Sequence, residues 1–360
     1  MRFTKLDGLR GLFSLMIVFY HYDKEFLPKF YDNFLINHSY VFVDFFFVLS
    51  GFVISYNYNS LDNLKKFISF TKKRVIRLYP LHLYSTIVYF IYILFSRLIL
   101  IRIFPEYFQG LDFTYEKHIE PFFDGVLLTN STPILGTSSG TNGPSWSISA
   151  EMISYLTFGL ITFLVSRRVK EFYFLIIIFF SSLLCYNYGN FFVGGEYGFL
   201  RGFVGFFLGY FVWKLYNRNT TLNINNNVEF LIPILLVLIL FIIDYFNQTE
   251  IGLILGILII PSFFSISIFI LLYSNGFLSK ILNTKVFQYL GKISFSMYLN
   301  HYLLLIVFLK PIYRIIDIEQ TGVNQTLIMI LAIILVIFYS HFTYSIIEKQ
   351  FGNYLRGKLL

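Results

Sequence analysis

Residues 229–246 read EFLIPILLVLILFIIDYF, and this stretch decides the class of protein to which the chain belongs. Every residue from 231 to 243 is apolar, and charged side chains occur only toward the two ends. A helix that crosses a bilayer needs about 20 mostly apolar residues, because lipid offers no hydrogen-bond partners to the backbone. We therefore predict that this segment spans a membrane.

The composition of the whole chain agrees with that prediction. Of its 360 residues, 56% are hydrophobic, 21% are aromatic and only 13% are charged, and the mean hydropathy is +0.67. Soluble domains carry about 25% charged residues, so we predict an integral membrane protein. The low charge excludes a disordered or nucleic-acid-binding protein, despite a pI near 9.2. The single cysteine, Cys185, lies in an apolar run, so no intramolecular disulfide is expected.

About ten apolar runs in the chain are long enough to cross a membrane. They lie at residues 8–22, 40–57, 80–102, 146–166, 171–188, 198–216, 229–246, 251–273, 292–311 and 325–346. The first run lacks a small-residue cleavage site, so we interpret it as a retained span. The predicted fold class is all-α, a polytopic membrane helical bundle of about ten transmembrane helices. We expect residues 1–360 to form a single membrane domain without a soluble C-terminal domain.

The distribution of basic residues predicts the orientation of the bundle. An even number of spans places both termini on one side, and most of the 28 Lys and Arg residues fall on the side of the N-terminus. Cytoplasmic loops carry an excess of Lys and Arg, so both termini are predicted to be cytoplasmic, in a bacterial inner membrane. The long connection at residues 103–145 would then lie outside. Its aromatic and carboxylate residues suit sugar binding, although half-buried outer loops often have this composition.

Ionisable residues inside spans are costly in lipid and are usually functional, and the first span carries a stripe of them. Asp7, Arg10, Ser14 and His21 are spaced to share one helical face. At 1.5 Å per residue, Arg10 and His21 lie roughly 16 Å apart. The stripe predicts a cation at one mouth and a base deeper in the bundle. The alternative is that Asp7 caps the helix, Arg10 obeys the positive-inside rule and His21 sits in interfacial water.

Further polar residues occur at the second and third spans. Asp44 either caps its span or orients His21 from a neighbouring helix. Arg74 and Arg77 lie three residues apart on one face, and two planar guanidiniums at that spacing suit phosphate. The positive-inside rule is the alternative explanation for this basic segment.

The fourth and ninth spans carry the remaining candidates. Ser147 and Glu151 share a face, and Glu151 is predicted either to belong to a site or to form a buried ion pair. Tyr298 and His301 lie on a second polar stripe with Ser294. The alternative explanation of this stripe is that its side chains form hydrogen bonds between helices. Two further residues are expected to be structural: Arg201 as an anchor at a span end, and Glu348 as a cap or a local ion-pair partner.

These segments together resemble the acyltransferase-3 family of integral membrane acyltransferases. The matching motifs, in the expected order along essentially the whole chain, are LDGLRG at residues 6–11, FYH at 19–21, VDFFFVLSGF at 43–52, RVIRLYP at 74–80, WSISAE at 146–151 and ISFSMYLNH at 293–301. The sequence departs from the family at Asn300, where Trp is common, and at Gln350, where Pro is common. The departure at Asn300 is expected to alter the fit of donor or acceptor.

The resemblance implies a ten-helix membrane domain with acyl-CoA, commonly acetyl-CoA, as donor. It implies O-acetylation of a surface polysaccharide, such as an O-antigen, or of a lipid-linked glycan. His21 matches the proposed catalytic histidine of the family, and Arg10, Arg74 and Arg77 match arginines tied to donor binding or activity.

We therefore predict a membrane O-acetyltransferase in which His21 is the general base. Asp44 or Glu151 is expected to orient the imidazole, and His301, Tyr298 or Ser147 to stabilise the oxyanion. Trp146, Ser147 and Tyr298 are predicted to contact substrate. The expected partners are the bilayer, acyl-CoA and a glycan acceptor, without nucleic acid, and no Cys/His spacing indicates a metal site. A covalent acyl intermediate is equally consistent with the sequence, and a transporter or flippase of a lipid-linked sugar is the alternative function.

Overall fold

The computed structural model describes residues 3–103, 105, 115–135, 140–166, 169–188, 195–219, 222–246, 249–315 and 318–360. Within these ranges the regular structure is entirely helical. The ten longest helices are α1 (Thr4–Tyr20), α2 (Phe42–Asn57), α3 (Leu64–Phe95), α4 (Trp146–Leu164), α5 (Lys170–Asn187), α6 (Gly198–Arg218), α7 (Leu231–Tyr245), α8 (Ile260–Tyr273), α9 (Lys285–Ile315) and α10 (Gly322–Thr343).

The predicted fold class, an all-α polytopic membrane bundle, is confirmed. Nine helices in the described part of the chain are long and apolar enough to cross a membrane, and each of α2 to α10 overlaps one of them. Helix α1 is shorter, with 17 residues. Each of the ten predicted spans overlaps one of the helices α1 to α10.

The largest difference between prediction and structure is the start of α3, which begins at Leu64 and not near residue 80. Asn63 caps this helix by accepting a hydrogen bond from the backbone amide of Lys66 at 2.9 Å. The helix is longer than its apolar run because backbone hydrogen bonding continues through the basic segment. Arg74 and Arg77 therefore lie on a continuous helix.

Facing glycines bring α1 and α9 into close contact. A side chain at Gly11 would place its Cβ 2.4 Å from the backbone nitrogen of Gly291, and one at Gly291 would meet the carbonyl oxygen of Asp7 at 2.1 Å. Small residues let helices in membranes approach this closely. The hydroxyl of Ser14 also donates to the carbonyl oxygen of Ser294 at 2.9 Å. These contacts align the two predicted polar stripes along one interface.

Helices α2 and α6 form a second close pair. A Cβ at Gly51 would lie 1.8 Å from the carbonyl oxygen of Phe206, and one at Gly209 would lie 2.0 Å from that of Val48. The start of α6 consequently lies beside the start of α2.

The long connection before α4 folds back onto the bundle in its described part. A short helix, Glu120–Leu127, ends at Leu128, which has a left-handed backbone with φ 56°. The side-chain amide of Asn142 donates to the carbonyl oxygen of Leu299 at 2.9 Å. This contact ties the segment that precedes Pro144 to α9. Residues 136–139 of this connection lie outside the described residues.

Candidate active site

Two cavities lie toward opposite ends of α1. The first, which we call the arginine cavity, has a volume of about 180 Å³. Its lining includes Arg10, Ser50, Arg74, Arg77, Glu151 and Tyr298. All three predicted donor-binding residues therefore line the same cavity, although they come from two separate helices.

Arg10 is held at the wall of the arginine cavity by α9. Its Nε donates to Ser294 Oγ at 2.8 Å, and its Nη2 donates to the carbonyl oxygen of Gly291 at 2.7 Å. Asp7 lies 3.4 Å from the same nitrogen, one turn earlier on α1. The close glycine contact makes these bonds possible, because it brings the α9 backbone within reach of a side chain on α1.

Arg77 forms a long-range ion pair with a residue in the segment that follows α10. Glu348 Oε2 lies 2.5 Å from Arg77 Nη1, and Glu348 Oε1 accepts from Ser296 Oγ at 2.5 Å. The interpretation of Glu348 as a cap or local partner was wrong, since its partner lies 271 residues away. Glu348 sits in the π-helical segment Tyr344–Phe351 that follows α10, and this segment packs against α3 and α9.

Arg74 has no carboxylate partner among the residues that the structure describes. Its guanidinium lies over the rings of Tyr58 and Tyr155, at 5.3 and 5.8 Å from their centroids. Its buried Nε makes no hydrogen bond to any residue in the described ranges. A buried donor without a partner carries a large desolvation cost and calls for a missing acceptor. Among the described residues, Arg74 is therefore the arginine of this cavity that lacks a counter-charge, whereas Arg10 pairs with Asp7 and Arg77 with Glu348.

Glu151 belongs to the arginine cavity and does not orient the imidazole of His21. Its Oε1 accepts a 2.5 Å hydrogen bond from Ser50 Oγ and a second, short one from the hydroxyl of Tyr155. The expected contact with His21 was wrong, because Glu151 lies one turn into α4 on the side of the arginines. The carboxylate offsets their positive charge.

The second cavity, which we call the histidine cavity, has a volume of about 480 Å³. His21, His38, Tyr40, Trp146, Arg201 and Asp244 are among its lining residues. A cavity of this volume lies within the range of about 300–1,000 Å³ that is typical for small-molecule sites. Its mixture of aromatic faces and polar groups is suited to a polyhydroxylated ligand.

The hydrogen bonds of His301 determine which nitrogen of His21 can accept a proton. His301 Nδ1 lies 3.1 Å from the carbonyl oxygen of Met297, which can only accept, so this nitrogen carries the proton. In the neutral ring, Nε2 is then an acceptor, and it lies 3.1 Å from His21 Nδ1. His21 Nδ1 must therefore be protonated, and it also lies 3.1 Å from the carbonyl oxygen of Ile17.

His21 Nε2 is left with its lone pair. Within the described part of the chain this atom has no hydrogen-bond partner. The contacts thus select the tautomer that a general base requires. His301 is fully buried with both ring nitrogens engaged, so it positions His21 and, in this arrangement, does not serve as the expected oxyanion donor.

Asp44 pairs with Arg201 and not with His21. Arg201 Nη2 lies 2.6 Å from Asp44 Oδ2, and Arg201 Nε lies 3.0 Å from Oδ1. Both side chains are almost fully buried, at 1% and 3% exposure. The expected contact of Asp44 with His21 and the interpretation of Arg201 as a span-end anchor were both wrong. The close crossing of α2 and α6 pairs the two charges.

Trp146, Ser147 and Tyr298 lie where the two cavities meet. Trp146 lines the histidine cavity beneath the guanidinium of Arg201, whose Cζ lies 5.6 Å from the indole centroid. Tyr298 lines both cavities. Its hydroxyl donates to the carbonyl oxygen of Pro144 at 2.9 Å and accepts from Ser147 Oγ at 2.8 Å. Both hydroxyl protons are used locally, so neither serves as the expected oxyanion donor in this arrangement.

A family model described as an acyltransferase domain, that of the acyltransferase-3 family, matches residues 3–342. The chain belongs to this family. Comparison with curated proteins gives no match, and neither does comparison with solved structures. Family membership and the helical bundle together establish a membrane acyltransferase. They favour acyl transfer over the alternative of a transporter or flippase.

Sequence reasoning missed one polar pair of this acyltransferase. His38 Nε2 lies 2.8 Å from Asp244 Oδ1, and His38 Nδ1 lies 3.1 Å from the hydroxyl of Tyr40. All three residues line the histidine cavity. Asp244 carried a detectable signal, because it is an ionisable residue inside the predicted span 229–246. His38 carried no such signal, because it lies just before a predicted span. Only its contact with Asp244 in the folded structure singles it out.

Proposed function

We propose that this acyltransferase transfers an acetyl group from acetyl-CoA to a hydroxyl of a surface polysaccharide or lipid-linked glycan. The observation that carries the proposal is the adjacency of the two cavities. One of them holds three arginines, including the unpartnered Nε of Arg74. The other holds His21 in the tautomer of a general base. An anionic donor and a neutral hydroxyl acceptor match these two chemistries.

The arginine cavity would bind the donor. Arg10, Arg74 and Arg77 supply the charge that phosphate groups require, and guanidiniums bind phosphate through paired hydrogen bonds. At about 180 Å³ the cavity is smaller than a typical ligand pocket, so it would hold only part of the CoA molecule. Bulky side chains such as Phe46, Phe47 and Tyr155 form part of its wall, and this small volume favours an acetyl group over a long acyl chain.

The histidine cavity would bind the acceptor. His21 Nε2 would take the proton from the acceptor hydroxyl as its oxygen attacks the thioester carbonyl. The carbon–sulfur bond then breaks, and the imidazolium returns the proton to the CoA thiolate. General base catalysis of this kind contributes typically 10²–10⁴-fold in rate.

The positive-inside distribution of Lys and Arg supports a bacterial inner-membrane location with both termini in the cytoplasm. The arginine cavity lies toward the N-terminal end of α1, so the donor would enter from the cytoplasm. The acceptor would bind on the opposite side.

Mass spectrometry of the host's surface glycans tests the proposal. Cells with the gene, without it, and with a His21→Ala copy are compared, and a His341→Ala copy is the matched control because His341 is exposed and lines neither cavity. An added acetyl mass that requires both the gene and His21 is expected. Normal acetylation by the His21→Ala copy contradicts the assignment. Loss of the entire glycan without the gene would favour transport.

A further inference from the structure

The two cavities abut at a thin wall that is made by few side chains. In the described residues, only Val43 and Tyr298 line both cavities. Both are buried, with exposures of 5% and 6%. Val43 comes from α2 and Tyr298 from α9, so the wall closes the gap between two helices.

The tyrosine side of the wall is fastened by hydrogen bonds. The hydroxyl of Tyr298 donates to the carbonyl oxygen of Pro144 and accepts from Ser147 Oγ. Its ring packs edge-on against Phe46, with centroids 6.0 Å apart, and lies 5.9 Å from the ring of His301. The ring is therefore held between the donor side and the histidine pair.

We propose that Tyr298 is a specificity-determining partition, which makes the thioester available to a sugar hydroxyl and withholds it from water. This inference rests on the proposed function. The acyl carbon must pass this wall to meet a hydroxyl beside His21. A permanently open wall would admit water to the thioester, and exclusion of water from an active site prevents such side reactions.

The competing reactions differ only in the attacking oxygen. In transfer, a bond forms between the acceptor oxygen and the acyl carbon while the carbon–sulfur bond breaks, and the acceptor proton passes through His21 to the CoA thiolate. In hydrolysis, water takes the place of the acceptor and the products are acetate and CoA. Release of CoA thiol without transfer of acetyl therefore measures failure of the partition.

The experiment compares two rates in the purified full-length protein reconstituted in lipid vesicles. One is the release of CoA thiol from acetyl-CoA, and the other is the incorporation of labelled acetyl into a membrane glycan extract of the host. In the wild type, the two rates are expected to match, and thiol release without extract is expected to be low. Tyr298→Ala is expected to raise acceptor-free thiol release relative to transfer by about tenfold, because the truncated side chain leaves the wall open to water.

Three further variants separate the partition from a general loss of structure. Tyr298→Phe keeps the ring and loses the hydroxyl, so its uncoupling is expected to be smaller than that of Tyr298→Ala. Val43→Ala opens the wall from the other helix and decides the question if Tyr298→Ala fails to fold. Tyr339→Phe is the matched control, because Tyr339 bonds Tyr84 at 2.6 Å and lines neither cavity.

The proposal is overturned if Tyr298→Ala, or Val43→Ala in its place, stays as tightly coupled as the wild type. It is also overturned if these variants lose transfer without any gain in acceptor-free thiol release. If the wild type shows neither transfer nor thiol release with acetyl-CoA, the proposed function itself fails, which distinguishes the two cases.

Discussion

His301 Nε2 lies 3.1 Å from His21 Nδ1, although 280 residues separate the two histidines in the chain. The contact exists because α1 and α9 run side by side through facing glycines, which also place Arg10 beside Ser294. One helix pair therefore presents a cation to one cavity and a base to the other. This relationship makes His301 a positioning residue for the proposed base.

Replacement of His301 by Ala is expected to lower the rate of acetyl transfer by about 10²-fold, because His21 loses the acceptor that selects its tautomer. The affinity for acetyl-CoA should change little. His301→Gln retains an amide oxygen near the position of Nε2 and should recover part of the rate. Steady-state kinetics with acetyl-CoA and acceptor varied separately measure both effects. A rise in the KM for acetyl-CoA at unchanged kcat would contradict the positioning role.

Replacement of Arg74 by Ala is expected to raise the KM for acetyl-CoA by roughly 10- to 100-fold, which corresponds to loss of a charge-assisted hydrogen bond of about 1.5–3 kcal/mol. Arg74→Lys keeps the charge but loses the planar donor pair, so its effect should be intermediate. Direct binding of acetyl-CoA to the purified protein, measured by calorimetry, provides the check. Unchanged affinity in both variants would leave Arg74 as a topology signal only.

Asp44→Asn is expected to destabilise the protein by about 3–5 kcal/mol, because it leaves Arg201 buried without its counter-charge. The double variant Asp44→Leu/Arg201→Met removes both charges and should recover most of the stability. Thermal unfolding of the detergent-purified protein measures the difference. If Asp44→Asn keeps the wild-type unfolding temperature and loses activity, Asp44 has the catalytic role that its sequence position suggested.

Gly291→Ala is expected to destabilise the bundle by about 1–3 kcal/mol or more, because the added carbon would overlap the backbone of α1. Gly322→Ala is the matched control, since a side chain at that position meets nothing within 4 Å. Expression level and unfolding temperature are the readouts. Equal stability of the two variants would contradict the close contact of α1 with α9, and with it the alignment of the two polar stripes.

The positions of the helices could be predicted from the sequence because the requirement that produces them is local. Lipid forces the backbone of each apolar segment to satisfy its own hydrogen bonds, so a run such as residues 229–246 specifies a helix whatever its neighbours are. The same locality allowed Arg10 and His21 to be placed on one face of α1. The start of α3 was placed wrongly for a related reason. An apolar run shows where a helix crosses lipid, and it does not show where the helix begins.

The partners of the buried charges could be identified only from the tertiary structure. Asp44 and Arg201 are 157 residues apart, and Arg77 and Glu348 are 271 residues apart. In a membrane, the sides of a helix that face lipid and those that face other helices are both apolar, so periodicity alone does not show which helices meet. The sequence by itself determined the helical membrane bundle and most of the polar residues of the site. Only the packing of the helices decided that these residues divide between two cavities, with Tyr298 in the wall between them.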